Sequence, residues 1–324
     1  MKPLVIYHAS CADGFGAAFA AWLKLGDDAE YVPMQYLNSK LNAVEAWEAL
    51  SAAIPSKANT GREVYILDFS LPKPVMDKLF AVSERVVWLD HHKTAFEMWC
   101  EDGERSLCEQ SNGRDEVILD NNKSGAMLAW EYFHPGTEIP MFIKHIDDYD
   151  RWQFKLEGTK EFNKALWSRA PWSFSGWKNL LGNNPAHHLS MVLAMRTEGA
   201  AILRAHDQNV QSVVKGSARD VWIKMDKSID LPGSFLDGVT QGWQGLAANC
   251  PPHLTSDVGH ELANQSGTFG LCWTLSQTDL VAKCSLRSNG DYDVSAIAKA
   301  FGGGGHRNAA GFEVPIQTLL GWLK

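Results

Sequence analysis

Positive charge is in short supply in this chain. Its 30 Lys and Arg face 38 Asp and Glu, for a formal net charge of −8 and a sequence pI near 5.8. Proteins that coat long nucleic acid electrostatically usually carry a basic face, so the balance argues against that class. It leaves nucleotide chemistry open, because a bound divalent cation brings its own positive charge to a phosphate. Long apolar runs are missing too: no stretch approaches the roughly 18 apolar residues of a membrane span. The opening MKPLVIYHAS has one Lys and an apolar run too short for a secretory h-region. The six cysteines, at 11, 100, 108, 250, 272 and 284, form no CxxC pair. With no signal peptide to read they are expected as reduced thiols, in a cytoplasmic protein with no membrane partner. Internal repeats and low-complexity tracts are absent as well.

What is present is a chain of 324 residues, 45% hydrophobic, long enough by that prior for about two domains. Short continuous apolar runs at 3–7 (PLVIY), 64–67 (VYIL) and 86–89 (VVWL) suit strands buried on both faces. Amphipathic stretches at 14–25, 40–53, 73–82 and 124–133 read as helices between them, the last with Ser124 as its N-cap. Strand–helix alternation of this kind predicts a parallel, doubly wound α/β sheet. Residues 151–185 change character, with tryptophans at 152, 167, 172 and 177 among Ser, Gly and Asn. Those rings read mostly as packing, with a base-stacking platform as the alternative. A helix over 189–214 is expected as a connector. Strands at 221–225, 268–275 and 280–287 and a helix near 293–301 make a smaller α/β second lobe. The expected division is 1–185, 186–234 and 235–324.

Polar residues follow the first three apolar runs directly. His8 and Asp13 follow the first, Asp68 the second, and Asp90, His91 and His92 the third, while Asp147, Asp148, Tyr149 and Asp150 end a helical stretch. In an open α/β sheet the residues just past the carboxyl ends of the strands converge on one crevice. Carboxylates and imidazoles gathered there form an O/N ligand set suited to Mn²⁺ or a similar divalent ion. His187 and His188 have no acid beside them and read as surface. Near the C-terminus the run Phe301-Gly302-Gly303-Gly304-Gly305-His306-Arg307-Asn308 is costly to order, which implies a backbone that approaches something closely. Exposed N–H groups of Gly304 and Gly305 beside His306 and Arg307 would cradle a phosphate, and Arg287 with Ser288 would add to the same anion site.

Together, the His8/Asp13-Gly14 motif, the lone Asp68, Asp90-His91-His92 and the terminal GGGGHRNAAG resemble the DHH phosphoesterases that carry a C-terminal DHHA1 domain. The resemblance spans about 1–150 and 235–324. It implies a two-metal phosphodiesterase, usually with Mn²⁺ (Mg²⁺ or Co²⁺ being alternatives), working in a cleft between lobes. It implies His8, Asp13, Asp68, His91 and Asp148 as metal ligands, with Asp68 bridging. Asp90 would orient His91, and His92 would sit close to the scissile phosphate. Asp148 is chosen over its neighbours because Asp148-Tyr149-Asp150-Arg151-Trp152 resembles a family motif of the form Asp-x-Asp-x-Trp. Two cations about 3.5–4 Å apart can activate a water and cancel phosphate charge. The sequence departs from the family at Cys11, where an acid is expected. Cys11 reads as a non-ligand, since Mn²⁺ and Mg²⁺ prefer carboxylate oxygen to sulfur.

The expected substrate is a short single-stranded oligonucleotide or small nucleotide (nanoRNA, pAp, a linear dinucleotide) cut to mononucleotides by a monomer or homodimer. Two other readings stay open: a cyclic-dinucleotide phosphodiesterase, and a degenerate nucleotide- or RNA-binding module, which Cys11 favours.

Overall fold

The computed structural model describes residues 1–37, 41–54, 60–100, 107–225, 235–237, 240–276 and 280–324. The first residue of the helix expected at 40–53 and the domain limit drawn at 234 lie outside them. The chain divides into two compact units, Met1–Leu203 and Arg204–Lys324.

The first unit is built on six strands: β1 Leu4–His8, β2 Glu30–Met34, β3 Glu63–Leu67, β4 Arg85–Asp90, β5 Leu107–Ser111 and β6 Glu116–Asp120. Their order is β2-β1-β3-β4-β6-β5, all parallel except β5, which runs antiparallel to β6. The apolar runs are continuous because both faces of the sheet are covered. Leu4, Ile6, Val64, Ile66, Val86 and Trp88 point to the face shared with α2 (Ala43–Ala53), α3 (Lys73–Val82) and α4 (Lys93–Trp99). The alternate residues Val5, Tyr7, Tyr65, Leu67, Val87 and Leu89 meet α1 (Ala12–Leu25), α5 (Gly125–Phe133) and α6 (Met141–Asp150) on the other face. Each aliphatic side chain so buried contributes about 1.5–3 kcal/mol relative to exposure. The expected doubly wound α/β sheet is therefore what the chain forms.

Two local signals set helix starts. Asn42 accepts from Val44 N and Glu45 N while Glu45 accepts from Asn42 N, a capping box for α2. Ser124 Oγ accepts from Met127 N at the start of α5, as the sequence predicts. Strand β2 escapes the apolar-run criterion because Pro33 interrupts it. Its edge position, paired with β1 alone, tolerates the missing N–H. The chain runs from β1 outward to β2, then crosses to β3 on the other side of β1. That reversal leaves a crevice at the carboxyl ends of β1 and β3, the expected ligand position in an open α/β sheet. Helices α7 (Thr159–Ser168) and α8 (Phe174–Leu181) follow α6, and α9 (Pro185–Ser217) contains the division between units.

The second unit holds β7 Arg219–Met225, β8 Phe235–Asp237, β9 Thr240–Asn249, β10 Phe269–Leu275, β11 Val281–Ser288, β12 Gly304–His306 and β13 Ala309–Pro315. The sheet order is β12-β13-β11-β10-β9-β7, with β8 also on β9. Among the described residues only β9 and β10 pair in parallel, joined through α10 (Thr255–Ser266); α11 (Val294–Ala300) precedes the glycine run. Among the described residues no helix is long and apolar enough to cross a membrane.

Candidate metal centre

The centre is assembled by three chain reversals. After His8, the last residue of β1, the backbone turns at Ser10 (φ 56°) into α1, whose N-cap is Cys11 and whose first turn carries Asp13. Gly14 makes that turn fit, since a Cβ there would stand 2.3 Å from the His8 carbonyl oxygen. Asp68 follows β3 in a left-handed conformation (φ 53°) and is 1% exposed. Asp90 ends β4, and His91 and His92 lead into α4. Asp150, the last residue of α6, enters from the far side.

His91 Nε2 lies 3.1 Å from Asp68 Oδ1 and 3.5 Å from both Asp13 Oδ2 and Asp150 Oδ2. His8 Nδ1 lies 3.7 Å from Asp68 Oδ2, and His92 Nδ1 3.8 Å from Asp68 Oδ1. Both Asp68 oxygens, His8 Nδ1 and His91 Nε2 are buried without a hydrogen bond among the described residues. Asp13 is held from below: its two oxygens accept from Gly125 N (2.7 Å) and Ala126 N (2.8 Å), at the positive end of α5. Among the described residues three groups of atoms are close enough to share an ion: His8/Cys11/Asp68, Asp68/His91/His92 and Asp13/His91/Asp150.

Burial pushes the Asp13 carboxyl well up, helped by Asp68 and Asp150, and burial likewise raises Asp150. Burial also raises Asp68, but His8, His91 and His92 outweigh it and hold this carboxyl below its ordinary range. Burial would neutralise His91; Asp68, Asp150 and Asp13 instead raise it well above the ordinary imidazole value. Buried, unbonded carboxylate and imidazole atoms at this spacing fit a divalent cation of the Mn²⁺ type.

The structure brings His8, Asp13, Asp68 and His91 together as the sequence predicts, and places Asp148 and Asp90 differently. Asp148 is not at the centre. Its carboxylate accepts from Lys155 N, Leu156 N and Thr159 Oγ1 at 2.6–3.0 Å, fastening the turn after α6. Asp150, more exposed than Asp148 and one turn on from Ile146, lies beside Asp13 and His91 instead. Asp90 orients His92 rather than His91, its Oδ1 lying 2.7 Å from His92 Nδ1 and accepting from the His91 and His92 N–H groups. Cys11, read from the sequence as a non-ligand, has its sulfur within 4.8 Å of ligand atoms of His8 and Asp68. Burial first, then Asp68, Asp150 and Asp13, push its thiol well up.

In the second unit Arg287 donates to Ser256 Oγ (3.1 Å) and to the Leu286 carbonyl (2.9 Å), its stem lying over Gly259 of α10. Ser288 is fully buried: its hydroxyl donates to the Tyr292 carbonyl at 2.6 Å and accepts from Asn308 Nδ2 at 3.0 Å, so it holds the turn instead of facing a ligand. Gly304, Gly305 and His306 form edge strand β12, and His306 and Arg307 are exposed. The close approach implied by the glycines is to β13 itself. A Cβ at Gly303 would meet Gly311 O at 2.1 Å and one at Gly305 would meet Ala309 O at 2.5 Å, while Gly304 faces open space.

Residues 259–320 match the family model of the DHHA1 domain. The second unit carries a DHHA1 domain. The resemblance read from the sequence is thus shown at its C-terminal half, and α11, the glycine hairpin and Arg287 all lie inside the DHHA1 domain. An uncharacterized protein, R106, of Acanthamoeba polyphaga mimivirus is 29% identical over 324 residues, covering 95% of this chain; the chain spans 66% of the viral protein's length. Solved structures with a similar trace include an uncharacterized protein from Helicobacter pylori G27 (14% identity, TM-score 0.40, 97% of this chain and 93% of that one). RecJ with Mn²⁺ from Thermus thermophilus gives 12% identity and TM-score 0.46 over 99% of this chain and 50% of RecJ. The pGpG-specific phosphodiesterase PggH from Vibrio cholerae gives 12% identity and TM-score 0.44 over 98% and 94%.

Proposed function

We propose that this chain is a metal-dependent phosphodiesterase of the DHH type that hydrolyses short oligonucleotides or small nucleotides to mononucleotides, with Mn²⁺ or a similar divalent ion in each of two positions. One observation carries the reading. Asp68 sits fully buried at the β1/β3 crevice with both oxygens unbonded and turned toward histidines of two neighbouring strand ends. A carboxylate buried with its lone pairs left to ring nitrogens at this spacing is a ligand set rather than a packing contact. His8, Asp13, Asp68, His91 and Asp150 would hold the ions. Bound there, divalent cations lower the pKa of water and neutralise phosphate charge.

The chain's own proton chemistry falls to His92. Asp90 engages Nδ1, so exchange with the leaving oxygen falls to Nε2. Burial pulls the His92 pKa down, but Asp90 outweighs it and raises the ring above its ordinary value, which favours the proton-donating form. When water attacks phosphorus and the P–O bond to the leaving nucleoside breaks, Nε2–H would protonate that oxygen. In the DHHA1 domain, His306, Arg307 and the backbone of Gly304 and Gly305 are the groups we assign to substrate phosphate, with Arg287 as a partly buried cation.

Tyr36 supports a nucleotide over a simple phosphoester. Its ring lies 5.0 Å from His8, 5.1 Å from Phe69 and 6.0 Å from His92, yet the residue is 45% exposed. It offers an aromatic surface at the rim of the centre, and base stacking on such a ring is worth about 1–3 kcal/mol. Tyr36→Ala is expected to raise KM for a dinucleotide about tenfold, while Tyr36→Phe retains it and a base-free phosphodiester is indifferent to both. Equal effects on both substrates would remove Tyr36 from base recognition.

The proposed function is tested by Mn²⁺-dependent release of mononucleotide from short RNA, short DNA, pAp and linear or cyclic dinucleotides. With a net charge of −8 there is no electrostatic track for a long strand, so turnover should be highest on the shortest linear substrates. Turnover rising steadily from a dinucleotide to a 30-mer would defeat the short-substrate assignment, and binding without hydrolysis of any of them would defeat the enzymatic one.

A further inference from the structure

We propose that Cys11 is a metal ligand, and that the two cation positions of the centre are chemically unlike. The inference rests on the metal-centre reading above and deepens it. Of the three groups able to share an ion, two contain only carboxylate and imidazole atoms, while the third, His8/Cys11/Asp68, adds a sulfur. The thiol is aimed there by the backbone. Ser10 turns the chain in a left-handed conformation, and Cys11 takes the N-cap position of α1 with its carbonyl accepting from Phe15 N at 3.0 Å. An N-cap side chain ordinarily bonds the first turn of its helix, and the Cys11 side chain makes no such cap bond. The independent sign that an ion belongs here is Asp68, 1% exposed, with both oxygens unbonded, together with the buried unbonded Nδ1 of His8.

Ligand softness then divides the pair. A thiolate with one imidazole and one carboxylate selects Zn²⁺, Co²⁺ or Fe²⁺ over Mn²⁺ and Mg²⁺, whereas Asp13/His91/Asp150 offers the oxygen-rich surroundings that suit Mn²⁺. The two unlike groups share no residue, and the third, Asp68/His91/His92, links them through Asp68 and His91. On binding, the Cys11 S–H bond breaks, the sulfur lone pair goes to the cation and the proton is released to solvent.

The experiment is a Co²⁺ titration of the metal-free full-length chain, read by absorption. A sulfur-to-cobalt charge-transfer band in the near ultraviolet is expected in the wild type. It should be absent from Cys11→Ser and Cys11→Asp, both of which still take up Co²⁺ through His8 and Asp68. Cys11→Asp should shift the Zn²⁺-over-Mn²⁺ preference toward Mn²⁺ by about tenfold or more in direct competition. A second measurement needs no variant. The other five cysteines are buried, so Cys11 is the accessible thiol for iodoacetamide at a pH high enough to ionise it, and Zn²⁺ should protect it while Mg²⁺ does not. Co²⁺ bound without the charge-transfer band, or Cys11 labelled equally with and without Zn²⁺, would overturn the role of Cys11 and leave the metal centre standing. Failure of the wild type to bind Co²⁺ at all would overturn both.

Discussion

Asp68→Asn is expected to cut hydrolysis by at least about a thousandfold, on the order of 4 kcal/mol of transition-state stabilisation, while the purified protein stays folded. Asparagine is the informative replacement. Position 68 is left-handed (φ 53°), a conformation that Asn tolerates and that Ala does not adopt without strain. The amide keeps the volume of the carboxylate in a site where Gly125 leaves no slack, so packing is retained and charge alone is lost. Two of the three ligand groups contain Asp68, so metal content should fall together with activity. A folded Asp68→Asn protein retaining more than about a tenth of wild-type turnover would remove Asp68 from the centre.

Much of this centre can be read without coordinates because parallel sheets write their geometry into the sequence. An apolar run buried on both faces ends abruptly where the chain leaves the sheet, so the polar residue after it marks the crevice. His8, Asp13, Asp68 and His91 all follow from that rule. Asp150 does not, because it arrives on α6, where the choice among Asp147, Asp148 and Asp150 depends on helix rotation. The motif favours Asp148, but that side chain turns toward α7 and spends its oxygens on Lys155, Leu156 and Thr159. Burial along α6 does not choose between them, since Phe142, Ile143, His145, Ile146 and Asp148 are all buried; Asp150 reaches the crevice from the end of the helix.

Other features depend on contacts that no local pattern encodes. Strand β9 carries Gly242 and Gly245 inside it, which hides its period; a Cβ at Gly245 would stand 2.6 Å from the Phe269 carbonyl oxygen of β10. The tryptophans divide in a way composition cannot reveal. Trp177 is buried against Phe15, Phe19 and Phe142, with centroids 4.8–5.7 Å apart, whereas Trp152 and Trp167 are 37% and 43% exposed. The glycine run does mark a close approach, but the partner is the chain's own strand β13.

Gly125→Ala should damage the centre more than any single loss of a surface charge. A Cβ at position 125 would stand 2.3 Å from Asp68 Cβ, 2.7 Å from its Cγ and 2.8 Å from Oδ1. Neither side can retreat cheaply. Asp68 is pinned by its N–H bond to the Leu89 carbonyl at 2.9 Å, and Gly125 donates its own N–H to Asp13 Oδ2 at 2.7 Å. Any shift of α5 that relieves the clash therefore drags Asp13 as well, so one methyl displaces two ligands. Overpacking of this kind costs about 1–3 kcal/mol of stability. Misplacement of reacting groups by about 1 Å costs on the order of a hundredfold in rate. Gly216→Ala, in α9 with open space around it, is the control: removing a glycine from a helix there should stabilise by about 0.5–1 kcal/mol and leave turnover alone. The measurement pairs thermal unfolding with turnover and bound metal for both variants. Wild-type turnover and metal content in Gly125→Ala would show that the contact between α5 and Asp68 is dispensable, and with it the account of how Asp13 and Asp68 are held.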